Sequence, residues 1–313
     1  MKYRVRIFPI KTILIQVMLL FLVGTDLRAQ ESMGERIYQE RMFAFPNGKM
    51  KALILSYDDG LLQDSIMVSI LNKYKLKGSF NLNSAYFGDD ALWLKSLADK
   101  TGKYLNKAQV KRIYKEHEIA AHTRTHPHLP ELTEEEIKEE IRVNIEELSA
   151  LSENPITSFA YPFGEFNKQI VEILKSTGIT NARTVNDTKT FNLPDDFFIW
   201  NPTCHHTQVT SLLTEFVSKS VEKPILFHIW GHSWEFDRNQ ENNNWKYFDN
   251  ICQRLSSIKN IWSVSAGEFI EYLNAVKAIS GEKVLTNNSN LMLWLIIKGK
   301  LVQLKPKGTI SIE

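Results

Sequence analysis

The chain has 313 residues, 43% of them hydrophobic and 24% charged, with a formal net charge of +2. This is ordinary globular composition, long enough for one large domain, and it excludes a disordered or fibrous chain. The basic excess belongs to the first 29 residues, which hold Lys2, Arg4, Arg6, Lys11 and Arg28 against Asp26; the remainder carries 33 basic and 35 acidic residues, so nothing points to nucleic acid.

Residues 1–29 read as a cleaved signal peptide. A basic lead precedes an apolar run at 12–23, and Leu27-Arg28-Ala29 offers a small residue before Gln30. The apolar run is short for a membrane span. The expectation is an exported bacterial protein, periplasmic or secreted. Export leaves a disulfide open to Cys204 and Cys252. Cys252, however, falls in a helical stripe with Phe248, Ile251 and Leu255, where a buried free thiol is expected.

Residues 31–50 read as an irregular lead-in. From there strands and helices alternate. The apolar run at 52–57 predicts a strand. Residues 61–74 predict a helix with Ile66, Ile70 and Tyr74 on one stripe, and 77–82 a second strand. A helix at 107–115 and a strand at 118–122 follow. The clearest helix starts at Thr133, whose hydroxyl and Glu136 spell a capping box, and it buries Ile137, Ile141, Ile145 and Leu148. Further strands are expected at 156–160, 179–183, 224–230 and 261–263, with helices at 168–175, 245–257 and 269–278. Residues 291–297, 301–304 and 309–312 read as a hairpin plus a strand.

This alternation predicts parallel β/α units in a barrel or wound sheet. The expected division is a signal peptide at 1–29, one domain at 30–280 and a short β appendage at 281–313. Parallel barrels collect their chemistry at the C-terminal strand ends. Asp58-Asp59, His122, residues 161–164, Arg183 and His232 all fall just after predicted strands.

Adjacent carboxylates at the end of a buried strand repel each other, and a cation or a proton-transfer task justifies them. His122 and His126, four apart before Pro127 and Pro130, can aim two imidazoles at one metal. Catalytic zinc takes three protein ligands and keeps one open position. Two histidines with Asp58 or Asp59 fit that count, leaving the other carboxylate as a base. Cys204-His205-His206 lies in a Pro- and Thr-rich stretch without a ligand at typical spacing, so loop packing or substrate contact is expected. Trp230, Trp234 and Trp245 read first as core or rim packing. His117 is read as structural and His128 as a rim residue.

Ser56-Tyr57-Asp58-Asp59-Gly60 resembles the first motif, T-F-D-D-G, of the polysaccharide deacetylases (NodB-type, carbohydrate esterase family four). His122-Thr123-Arg124-Thr125-His126 matches their second, H-[ST]-x-x-H. Phe159-Ala160-Tyr161-Pro162-Phe163-Gly164 resembles the third, R-x-P-Y-G, and Leu226-Phe227-His228 fits L-x-H. The resemblance covers residues from about 50 to about 275. It implies an α/β fold, a distorted (β/α) barrel, here followed by the β appendage.

The resemblance also implies the chemistry. Asp59, His122 and His126 would hold a divalent metal, usually Zn2+. Asp58 would be the base for a metal-bound water attacking an acetyl group. The backbone N–H of Phe163 would help stabilise the oxyanion, and a histidine would act as acid. His228 fits L-x-H by spelling; His232, beyond the expected strand end, is the preferred acid on depth. Ala160 stands where the family has the arginine that orients the base, and Arg183 is a candidate substitute. The implied activity is a hydrolase acting on carbon–nitrogen bonds other than peptide bonds, or a carbohydrate esterase. Its substrate would be an acetylated oligo- or polysaccharide, and no stable protein partner is implied. The alternative is a catalytically impaired relative that keeps a glycan-binding groove.

Overall fold

The computed structural model describes residues 32–98 and 102–312. The signal-peptide expectation for 1–29 lies outside them. The sheet at the centre has eight strands among the described residues, all paired in parallel. They are β1 (Lys51–Asp59), β2 (Ser79–Leu82), β3 (Glu118–Ala121), β4 (Ser158–Ala160), β5 (Asn181–Arg183), β6 (Cys204–His205), β7 (Ile225–His232) and β8 (Ile261–Ser263). The spatial order is β5-β4-β3-β2-β1-β7-β6, and β8 also pairs with β1.

β1 organises the sheet. Along one edge it pairs with β7 over eight residues, from Lys51 to Asp58. Its other edge is shared: β8 takes Lys51–Leu53 and β2 takes Ser56–Asp59. Such a strand is buried on both faces, which explains its continuous apolar run. The gap between β5 and β6 is bridged by irregular chain. The Trp200 N–H donates to the Ala182 carbonyl and the Trp200 carbonyl accepts the Thr184 N–H, and three residues later the Thr203 N–H donates to the His228 carbonyl. The result is a barrel distorted at one seam.

Helices α1 (Asp64–Lys73), α2 (Glu134–Ser149), α3 (Lys168–Lys175), α4 (Val209–Ser218), α5 (Trp245–Ser256) and α6 (Ala266–Lys277) follow strands or strand-end loops. Thr133 caps α2 with the expected capping box. Two stripes differ from expectation. α1 buries Asp64, Met67, Val68 and Leu71, whereas Ile66 is exposed, because a buried carboxylate counts as core here and an apolar pattern cannot show it. α2 buries Asn144 and leaves Ile145 half-buried.

The lead-in is more regular than expected. Met33–Gln39 is a helix capped by Ser32, and Phe43–Ala44 pairs with the tail strand Leu293–Ile297. That strand forms the expected hairpin with Lys300–Leu304. Phe43, Phe45, Phe269, Leu285, Leu293 and Leu295 share one apolar cluster, joining lead-in, tail and α6. Cys204 and Cys252 are both free and buried. No described helix is long and apolar enough to cross a membrane.

Candidate active site

Asp58, Asp59, His122, His126, Phe163 and His232 line one cavity of about 690 Å³ at the C-terminal ends of the strands. Arg183 reaches the same cluster from below, through its contact with Asp58. Several residues in or beside the cavity have strained backbone. Asp59, Thr123, His126 and Phe163 have φ of 84°, 64°, 57° and 56°. Left-handed conformations of such residues are costly and persist where the surroundings impose them, commonly at functional sites.

Asp58 and Asp59 are adjacent yet differ in surroundings. The Asp58 carboxylate is buried against Arg183, whose Nη2 lies 2.6 and 2.5 Å from its two oxygens. The Asn81 amide adds a third hydrogen bond at 2.8 Å. Burial alone would raise the Asp58 pKa. The Arg183 guanidinium, with His122 and His232 nearby, outweighs it and holds the carboxyl at about 2. Asp59 turns the other way. One of its oxygens accepts the Trp234 indole N–H at 2.8 Å, and the other faces His122 Nε2 at 4.0 Å.

Arg183 also answers the missing motif arginine in geometric terms. Ala160 on β4 and Arg183 on β5 are direct register partners. A guanidinium from position 183 therefore starts at the same height in the barrel as one from position 160 would. Its Nε also donates to Ser56 Oγ at 3.2 Å and its Nη1 to the Thr184 carbonyl at 3.0 Å, which fixes the fork.

Asp59, His122 and His126 place ligand atoms within 4.8 Å of one another. His122 Nδ1 donates to the Ala160 carbonyl at 2.7 Å, which leaves its Nε2 lone pair free to face Asp59. Burial, foremost, keeps this imidazole neutral, with its pKa lowered to about 4. Two imidazole nitrogens and a carboxylate oxygen converging in this way are the donor set of a divalent cation, and these residues fit one. Asn144 accepts the His122 N–H, and the Asn83 amide holds the His122 and Thr123 carbonyls. The His126 ring packs edge-on against Phe163, which is stacked on His128, itself bonded to Glu165.

His232 is the last residue of β7, not beyond it, and pairs in register with Asp58. Its Nε2 lies 4.0 Å from Asp58 Oδ2 and its Nδ1 3.5 Å from Glu235 Oε2. Burial pulls the His232 pKa down, but Glu235, Asp59 and Asp58 together raise it to about 9. His228 is four residues deeper, beside Ile54, with its ring against Trp200. Burial and the nearby Arg183 push its pKa well below the ordinary value.

His205 and His206 are not loop residues as expected. His205 ends β6, and His206 begins a short turn of helix leading into α4. Their unforeseen partner is Glu235. Its Oε2 lies 2.9 Å from His205 Nε2 and 3.5 Å from His206 Nε2, and these three side chains form a second group with ligand atoms within 4.8 Å. Asn243 also bonds His206 Nε2. Burial would raise the Glu235 pKa, yet His205 and His232 hold it far below the carboxylate range. Trp230 and Trp234 line the cavity, whereas Trp245 bonds Asp237 away from it. His117 is buried between Gly78 and Asn72.

Strand-end carboxylates and imidazoles on a parallel barrel stand where barrel enzymes carry their chemistry. The polysaccharide deacetylase family model matches residues 39–182, a little under half of the chain. A protein from Mycobacterium smegmatis assigned as a polysaccharide deacetylase shares this fold, with a TM-score of 0.53 at 13% identity over 76% of this chain and 95% of that one. A deacetylase from Streptococcus pyogenes, solved with acetate, aligns at 21% identity and a TM-score of 0.36 over 42% of this chain. The match spans 55% of that protein, about half its length. A family 4 carbohydrate esterase pseudoenzyme from Bacillus anthracis aligns at 17% identity and a TM-score of 0.45, over 72% of this chain and 66% of that one. No curated protein matches the sequence.

Proposed function

We propose that the protein is a divalent-metal-dependent hydrolase that removes acetyl groups from an N- or O-acetylated glycan. The observation that carries this reading is the separation of the two adjacent carboxylates. Arg183 clamps Asp58, while Asp59 joins His122 and His126 in a converging donor set.

In this reading Asp59, His122 and His126 hold the cation, with Zn2+ the first candidate for two imidazoles and one carboxylate. When bound, the cation supplies Lewis acidity toward the acetyl oxygen and makes a water easier to deprotonate. Asp58 takes the proton at its carboxylate, oriented by Arg183 and Asn81. The backbone N–H of Phe163 donates to the developing oxyanion. His232, protonated at neutral pH and held near Glu235, gives a proton to the departing sugar nitrogen or oxygen. His228, buried beneath Arg183, has no part in the transfer. Export to the periplasm or the exterior would place the enzyme where such glycans lie.

The test is acetate release from acetylated chitooligosaccharide, peptidoglycan and xylan, with and without chelator, for wild type and Asp58→Asn. The expected outcome is chelator-sensitive release that falls at least about 100-fold in Asp58→Asn. Release unaffected by chelator and by the substitution refutes the assignment. Bound metal without release from any substrate favours a glycan-binding protein instead.

A further inference from the structure

The cavity above the cluster is far larger than an acetyl group. At about 690 Å³ it matches sites that enclose whole small-molecule ligands. Its wall is aromatic: Tyr86, Trp93, Tyr104, Tyr161, Trp230 and Trp234. Aromatic walls commonly stack on sugars, but a sugar also presents hydroxyls that need donors and acceptors.

In this wall the polar tips are turned inward. The Trp230 indole N–H goes to Asp187, that of Trp234 to Asp59 and that of Trp93 to the Tyr104 hydroxyl. The Tyr86 hydroxyl donates to the Thr125 carbonyl and the Tyr161 hydroxyl to the Phe198 carbonyl. The Thr125 hydroxyl donates to Glu140. Among the described residues, no lysine or arginine lines the cavity, so away from His232 and the proposed cation site nothing there would neutralise a phosphate, sulfate or uronate. At the mouth stand Leu92, 70% exposed, and Leu97, 52% exposed. Exposed leucines that continue an aromatic wall form the kind of apolar patch that marks a ligand groove.

We infer that the site takes an amphiphilic substrate, an acetylated sugar bearing a hydrocarbon aglycone that lies along Trp93 and Trp234 toward Leu92 and Leu97. The reaction at the sugar rests on the deacetylase reading; recognition of the hydrocarbon does not. Each methylene removed from water favours binding severalfold, so a hexyl group buried over half its length gives at least about a tenfold gain over methyl.

Calorimetric titration with hexyl and methyl N-acetylglucosaminide, both below micellar concentration, tests this. The expected result is hexyl binding at least about ten times more tightly to the wild type. In the Leu92→Asp/Leu97→Asp variant, hexyl affinity should fall to that of methyl while methyl affinity stays unchanged. Both leucines are exposed, and a matching thermal melt checks that the fold is intact. Equal affinities in the wild type, or a hexyl preference that survives the double substitution, overturns the inference. Acetate release from acetylated chitooligosaccharide, peptidoglycan and xylan and from the hexyl glycoside, measured on the same protein, separates the two readings. Release without hexyl preference overturns this inference alone, and hexyl preference without release supports it while removing the deacetylase reading.

Discussion

Asp58 and Arg183 are each only 3% exposed at the side chain, so their ion pair exists in a setting where either partner alone would be an uncompensated buried charge. Arg183→Leu is therefore expected to raise the Asp58 pKa from about 2 and loosen the carboxylate. Acetate release should drop by about 100-fold, and the acid limb of its pH profile should move upward. Arg183→Lys keeps the charge but loses the Nε and Nη1 hydrogen bonds that fix the side chain, so it should restore the pH limb better than the rate. An unchanged pH limb in Arg183→Leu would show that the guanidinium does not tune Asp58. Trp234 plays the matching part for Asp59, since its indole N–H occupies one oxygen and leaves the other facing His122. Trp234→Phe removes that donor while keeping an aromatic ring and should weaken metal affinity by about 10- to 100-fold, as read by competition with a chromogenic chelator, with a thermal melt to check the fold.

At the level of elements, register carries the site. β1 brings Asp58 level with His232 on β7 and Asn81 on β2, and β4 brings Ala160 level with Arg183. Helix α2 contributes more than packing. Asn144, in its buried stripe, accepts the His122 N–H at 3.1 Å and donates to the Leu82 carbonyl at 3.0 Å and the Ser84 hydroxyl at 2.9 Å. Glu140 on the same helix holds Thr125 through its N–H and its hydroxyl. Asn144→Ala strips several buried groups of partners at once and should cost about 2–3 kcal/mol, measured by urea unfolding. A loss below about 0.5 kcal/mol would mean that water replaces the amide. The helix itself was legible from its capping box, but the polar residue in its stripe was not, because periodicity sees only apolar positions.

At the scale of the whole molecule, stability should depend on pH through a histidine far from the cavity. His117 Nδ1 accepts the Gly78 N–H at 3.1 Å, and Nε2 faces the Asn72 side-chain oxygen Oδ1 at 3.0 Å, which fixes a neutral tautomer. Burial, reinforced by Lys77, lowers its pKa to about 4. Above about pH 6.5 neither folded nor unfolded chain binds the proton, so this stability is fully present. Between about pH 6.5 and 4 the unfolded chain takes up a proton that the folded chain refuses, and about 2–3 kcal/mol is lost. The melting temperature of the wild type should fall more steeply over that window than that of His117→Gln; parallel slopes would exclude His117. Alternation of strands and helices made the barrel legible, because buried parallel strands and amphipathic helices carry distinct periods. The closure between β5 and β6 was not legible, because irregular chain with scattered hydrogen bonds has no period.

By itself the sequence determined the local terms: which segments form strands and helices, and that Asp58, Asp59, His122 and His126 fall at strand ends in a recognisable order. Each of these depends on residues close together in the chain. Only the tertiary structure decided which carboxylate meets a cation from the protein and which turns toward the imidazoles. It put Arg183 beside Asp58 across 125 positions and Trp234 beside Asp59 across 175, and it joined Glu235 to His205 and His206. These pairings follow from strand register and barrel closure, which set charge, burial and hydrogen bonding together and leave no spacing in the chain from which to read them.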